Sequence, residues 1–124
     1  MGQSTLNITL EDIATAALCG DGLRTRSLMQ DWIAGHPDVE RLPAPVSQDA
    51  WIRPLVAGLA ELMEERLGQN APPWAAAIGA APAPTHLLRA AGHMKRLRES
   101  CEQFSPLPLR RRLFFAPANY LEAI

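Results

Sequence analysis

The sequence predicts an all-α protein, a single compact bundle of about five or six helices that begins with a helical hairpin. Three observations carry this. The 48% apolar fraction leans on Ala and Leu, which favour helix, rather than on the β-branched and aromatic residues enriched in strands. Apolar residues recur at steps of three and four along several segments, and no convincing alternating run competes with them. Proline and glycine clusters break the chain into pieces of helical length. At 124 residues the chain suits one domain with a modest core. Within it, 9–34 reads as the hairpin, 36–48 as a Pro-rich linker, and 49–124 as a helical core ending in an Arg/Phe segment.

Met1 to Asn7 reads as a loose arm. Thr9 followed by Asp12 is a capped helix start, and Leu10, Ile13, Ala14, Ala17 and Leu18 form its stripe. Cys19-Gly20-Asp21-Gly22 stops that helix, because two glycines and an aspartate adopt turn conformations at little cost. The second helix, Leu23 to Ala34, turns Leu28, Met29, Trp32 and Ile33 inward and ends at Gly35-His36-Pro37. Pro37, Pro43 and Pro45 then keep the linker irregular.

The longest helix runs from Asp49 or Ala50 to Leu67. Ile52, Leu55, Val56, Leu59, Met63 and Leu67 share one face, Pro54 falls near its first turn, and Gly68 is placed to cap its end. Trp51 is expected to help close the core, and Glu61, Glu64, Glu65 and Arg66 to face outward. Pro73-Trp74 opens a short helical piece through Ile78, with Trp74 as a core plug, and Gly79 to Pro84 is a spacer. A helix from Thr85 to Gln103 follows, with Leu87, Leu88, Ala91, Met94, Leu97, Cys101 and Phe104 as its stripe. Ser105 then caps a short helix with Pro106 as its first residue, carrying Leu107, Leu109, Arg110 to Arg112, Leu113 and Phe114. A last turn begins at Ala116-Pro117, with Tyr120, Leu121 and Ile124 as its apolar face.

Net charge is −1, but the charges are polarised. Met1 to Asn70 holds ten acidic and five basic residues, and Ala71 to Ile124 holds three acidic and seven basic. A chain so divided suits head-to-tail docking or one charged end offered to a partner, and equally two solvated faces. Cys19 and Cys101 are too few for a disulfide framework and read as buried free thiols in a reducing compartment. No apolar run approaches a membrane span and no leader is evident, so a cytoplasmic protein without a membrane partner is expected.

Catalytic constellations are missing from the sequence. There is no phosphate-cradling glycine loop, nucleophile elbow or His-Glu-x-x-His pair. His86 and His93 are spaced too widely for ligands on one helix, so no metal site and no cofactor are expected. The hairpin has the length of a helix-turn-helix, but Asp21 and Asp31 oppose phosphates beside Arg24 and Arg26.

The arginine run is the sharpest feature. On a helix, Arg110, Arg111 and Arg112 would fan over about 200° and could not share one flat patch. Three fates remain open: internal pairing with Glu64, Glu65 or Asp49, forked contacts to a protein partner's carboxylates, or contacts to nucleic-acid phosphates. Phe114 and Phe115 cannot both face inward on a helix, and aromatics beside arginines have the composition of interface hot spots. The candidate partner-binding set is Arg110, Arg111, Arg112, Phe114, Phe115 and Arg96.

Pro72-Pro73-Trp74, an amphipathic helix, and Ser105-Pro-x-x-Leu-Arg-Arg-Arg-x-Phe, in that order, resemble an uncharacterised family of bacterial helical proteins. That family closes on roughly Ser-Pro-x-x-Phe-Arg-Arg-Arg-Asn-x-Phe. The resemblance spans Ala50 to Ile124 and touches Trp74, Ser105, Pro106, Arg110, Arg111, Arg112 and Phe115, with Leu109 in place of the family's Phe and Leu113 in place of its Asn. Members often stand beside nucleotidyltransferase-like toxin genes. The resemblance therefore implies an antitoxin-like, non-catalytic module that neutralises a partner enzyme, its Arg/Phe segment covering an acidic, metal- or nucleotide-binding cleft. A small DNA-binding regulator and a dimerising scaffold are the rival expectations.

Overall fold

The first three helices form where the sequence satisfies their first backbone amides and gives them an apolar stripe to bury. The computed structural model describes residues 8–122. The arm Met1–Asn7 and Ile124 of the last apolar face lie outside them. Helix α1 spans Leu10–Leu18, and its start is a reciprocal cap. Thr9 Oγ1 accepts from the Asp12 amide at 3.2 Å, and the Asp12 carboxylate accepts from the Thr9 amide at 3.0 Å. Gly20 turns the chain at φ +76°. Asp21 then caps α2, Gly22–Ala34, by accepting from the Arg24 amide. Met29 and Trp32 are buried, as the sequence predicts, and Thr25 joins them. Cys19 corrects an expectation: it is exposed, because it sits at the end of α1 next to the turn, whereas Cys101 is buried.

The linker contains one 3-10 turn, Val39–Arg41, and is otherwise irregular. Helix α3 then spans Ile52–Leu67 and is the axis of the fold. Asp49 prepares its start by accepting from the amides of Trp51 and Ile52 at 2.8 and 2.9 Å, and those two bonds lower the carboxyl pKa. Gly68 ends it at φ +67°, the left-handed cap expected of that glycine. From Pro54 to Met63 every residue is buried, because α1 packs on one side and the C-terminal elements on another. That enclosure corrects Glu61, which faces inward. Trp51 corrects the other way: it precedes the helix and is exposed.

The 3-10 turn Pro73–Ala77 follows, and Trp74 packs against the core with its indole N–H donating to the Leu42 carbonyl at 2.7 Å. The predicted helix from Thr85 to Gln103 is three elements instead. Strand β1, Thr85–His86, is followed by a 3-10 turn at Arg89–Gly92 and by α4, Lys95–Phe104. Gly92 and His93 interrupt the helical pattern. The first segment is drawn into a ladder, with the Thr85 and Leu87 amides donating to the carbonyls of Leu113 and Phe115 at 2.8 and 2.9 Å. Tertiary pairing here overrides local propensity.

Helix α5 is one turn, Leu107–Arg110, and strand β2 is Phe114–Phe115, paired parallel to β1 with Thr85 opposite Phe114 and His86 opposite Phe115. Leu113 connects them at φ +70°. Ser105 ends α4 rather than capping α5 with its side chain. Its hydroxyl accepts from the Ala116 amide at 2.9 Å and faces the carbonyls of Ala116 and Cys101, fastening the end of α4 to the chain beyond β2. Tyr120 and Leu121 close the core, as their spacing predicts. The fold is thus a small, mostly helical bundle carrying one two-residue parallel ladder.

Candidate functional site

The arginine run leaves α5 as α5 unwinds, so its members point to different places. Arg112 turns inside and is only 4% exposed. One of its terminal nitrogens donates to Glu61 Oε1 and to the Pro108 carbonyl at 3.1 Å, and the other donates to the Ala75 carbonyl at 2.9 Å. Its buried Nε has no acceptor among the described residues. Arg111, with its side chain 52% exposed, reaches the same Glu61 oxygen from the surface side. Two guanidinium groups therefore converge on one carboxylate oxygen.

Glu61, expected to face outward, receives these arginines in place of Glu64, Glu65 or Asp49. Burial acts to raise its pKa, but hydrogen bonds from Arg112 and Arg111, with their charges, outweigh burial and hold it below the ordinary glutamate value. Glu61 stands three residues after Gly58, where a Cβ would meet Leu109 Cδ2 at 2.9 Å. The glycine lets α5 lie close on α3, and that approach carries the arginines to Glu61. A glycine one turn before a carboxylate was the available signal for the pairing. Its partners at residues 111 and 112 could not be read from spacing alone.

Arg110 takes the opposite direction and donates to the Gln103 carbonyl at the end of α4. Arg96 is exposed on α4 and makes no ion pair among the described residues. Phe114 is fully buried. Phe115 is half-buried with its ring centroid 5.4 Å from that of His86. Strand geometry, not helix geometry, separates the two rings, because successive strand residues point to opposite faces. Arg112 and Phe114, expected at a partner surface, are therefore enclosed and serve the fold. Arg96, Arg110, Arg111 and part of Phe115 remain at the surface.

His86 contributes an unpredicted link, with Nε2 2.9 Å from Glu102 Oε2 on α4. Cys101, beside Glu102, has its thiol pKa pushed up by burial and then by the Glu102 charge, the opposite of an activated nucleophile. Among the described residues, no three His, Cys, Asp or Glu side chains gather as metal ligands, and no helix is long and apolar enough to cross a membrane.

Other arginines act as straps to backbone carbonyls. Arg53 reaches Pro45, Arg66 reaches Tyr120, and Arg89 reaches Cys19. Much of the basic charge is therefore engaged within the chain. At the junction of α4 and α5, by contrast, Phe104 and Leu107 are each more than half exposed, as is Met94 at the other end of α4. Helix α4 packs chiefly on the 3-10 turn that precedes it. Protein-family profiles, curated proteins and solved structures give no match to the chain.

Proposed function

We propose that this chain is a non-catalytic protein-binding module of the antitoxin type, which engages a partner enzyme through the corner where α4 meets α5. The observation that carries this reading is the grouping of Phe104, Leu107 and Arg110. The two apolar side chains are exposed within three residues of each other, and the Arg110 guanidinium lies at the Gln103 carbonyl next to Phe104 without a carboxylate partner among the described residues. Apolar anchors beside an arginine have the make-up of an interface centre, and an unpaired guanidinium favours an acidic partner.

The sequence resemblance supports the antitoxin part of the reading. Its motif residues have structural employment: Ser105 fastens α4, Arg112 is buried on Glu61, and Leu113, where the family carries Asn, stands at φ +70°, a conformation Asn tolerates better than Leu. A nucleotidyltransferase-type enzyme as the partner follows from that resemblance alone. The DNA-binding alternative gains no comparable observation, since Asp21 occupies the start of α2 and its neighbour Leu23 is exposed.

Co-purification with the product of the adjacent gene tests the proposal. Phe104→Ala with Arg110→Glu is expected to abolish the complex while leaving the circular dichroism spectrum unchanged. A complex that survives in the folded double variant would remove this corner as the interface. Concentration-dependent sedimentation without the partner would favour a second copy as the occupant.

A further inference from the structure

We propose that a surface cleft beside Arg111 and Arg112 is a binding site for a carboxylate group. The cleft, of about 280 Å³, is lined by Ala76, Ile78, Gly79, Ala80, Arg111 and Arg112. Its walls are fixed at both ends by Arg112. The Arg112 side chain donates to the Ala75 carbonyl, and the Arg112 carbonyl accepts from the Ala81 amide at 3.0 Å. Between these clamps, the amides of Gly79 and Ala80 make no hydrogen bond among the described residues.

The charges there do not balance. Two guanidinium groups share a single carboxylate oxygen of Glu61, and among the described residues no other carboxylate lies within ion-pair distance of either. One formal positive charge remains, with half of Arg111 exposed to present it. A planar guanidinium fork with free backbone amides matches the two oxygens of a carboxylate. An excess of one charge fits a monoanion and leaves a phosphate dianion under-compensated.

Gly79 is one of the residues lining the cleft. Its φ is not in the left-handed region, and a Cβ built there meets nothing within 4 Å. A side chain at this position therefore adds bulk to the lining without straining the fold. The inference does not depend on the partner-binding reading, since a small carboxylate alone tests it.

The full chain, labelled with nitrogen-15, is titrated with sodium acetate against sodium chloride at matched ionic strength. Saturable shifts are expected at the Gly79 and Ala80 amides and at the Arg111 side chain. Arg111→Gln should weaken the acetate response by roughly tenfold, the loss of one charge-assisted bond. Gly79→Val should abolish it with an unchanged unfolding midpoint. Responses equal to those of chloride, or unaffected by both variants, would overturn the site. Tighter saturation by inorganic phosphate would overturn its carboxylate assignment. A peptide ending in a free carboxylate, and its amidated form carrying an internal aspartate, distinguish a chain terminus from an acidic side chain as the natural source.

Discussion

Gly58 and Leu109 pack so closely that a Cβ on Gly58 would stand 2.9 Å from Leu109 Cδ2 and 3.3 Å from the Pro108 carbonyl oxygen. Alanine in place of this glycine gains about 1 kcal/mol of helix propensity. It also drives a fully buried leucine and a backbone carbonyl away from α3. A net loss of about 1–3 kcal/mol is expected for Gly58→Ala, read as a lower urea midpoint at unchanged slope. A raised midpoint would show that α5 is free to move off α3.

Glu61 holds two guanidiniums, one of them buried, so removing its charge leaves Arg112 uncompensated. Glu61→Ala is expected to cost about 3–5 kcal/mol, with Glu61→Gln less severe. The pH dependence has a definite sign. Because the folded pKa lies below the unfolded value, the unfolded chain takes up the proton first as pH falls. The contribution is full above the ordinary value of 4.5 and disappears as pH drops through the folded one. Urea midpoints measured at falling pH should decline more steeply in the wild type than in Glu61→Gln. Asp49 adds the same acid dependence to both.

Tyr120 behaves oppositely. Burial, against a weaker effect of its hydrogen bond with Thr25, pushes its hydroxyl up to about 12 from 10.0. The unfolded chain ionises first as pH rises, so stability declines from about pH 10 upward, by at most about 2–3 kcal/mol. Tyr120→Phe should be flatter over this range in thermal melts. Equal alkaline losses in the two proteins would show that Tyr120 is not the group responsible.

Leu113 connects α5 to β2 at φ +70°, a region hostile to β-branched side chains. Leu113→Asn is expected to stay within about 1 kcal/mol of the parent, because asparagine relieves strain while losing some half-buried apolar surface. Leu113→Val should fall about 1–2 kcal/mol further. Equal midpoints for the two variants would mean that the turn tolerates another conformation.

The N-terminal hairpin, α3 and the caps at Thr9 and Gly68 were legible because their signals are local: a cap, a stripe and a stop lie within one window of sequence. Residues 85–94 were not, although the helix expected to continue through them does form from Lys95, because Thr85–His86 are claimed by strand β2. Apolar spacing cannot distinguish such a claim from a helical face. The candidate site divides along the same line. That the arginine run could not form one patch followed from helix angles, and the separation of its three side chains agrees. That Arg112 would enter the core, and that Glu61 would receive it, depends on the close approach at Gly58. Met94 and Phe104 lie on the predicted stripe of α4 yet are exposed, because α4 packs on little besides the neighbouring turn.

The parallel register of β1 and β2 sets the order in which this chain can mature on the ribosome. Thr85 and Leu87 emerge long before Leu113 and Phe115, which supply their acceptors, and Ala75 emerges earlier still than the arginine that clamps it. The hairpin and α3 can pair as soon as they are made. The small-residue face of α3 around Gly58, and the buried Glu61 carboxylate, must await residues 108–115. Closure of the C-terminal half is therefore a late event of high contact order. A nascent chain stalled before Arg112 would present that face to chaperones and proteases.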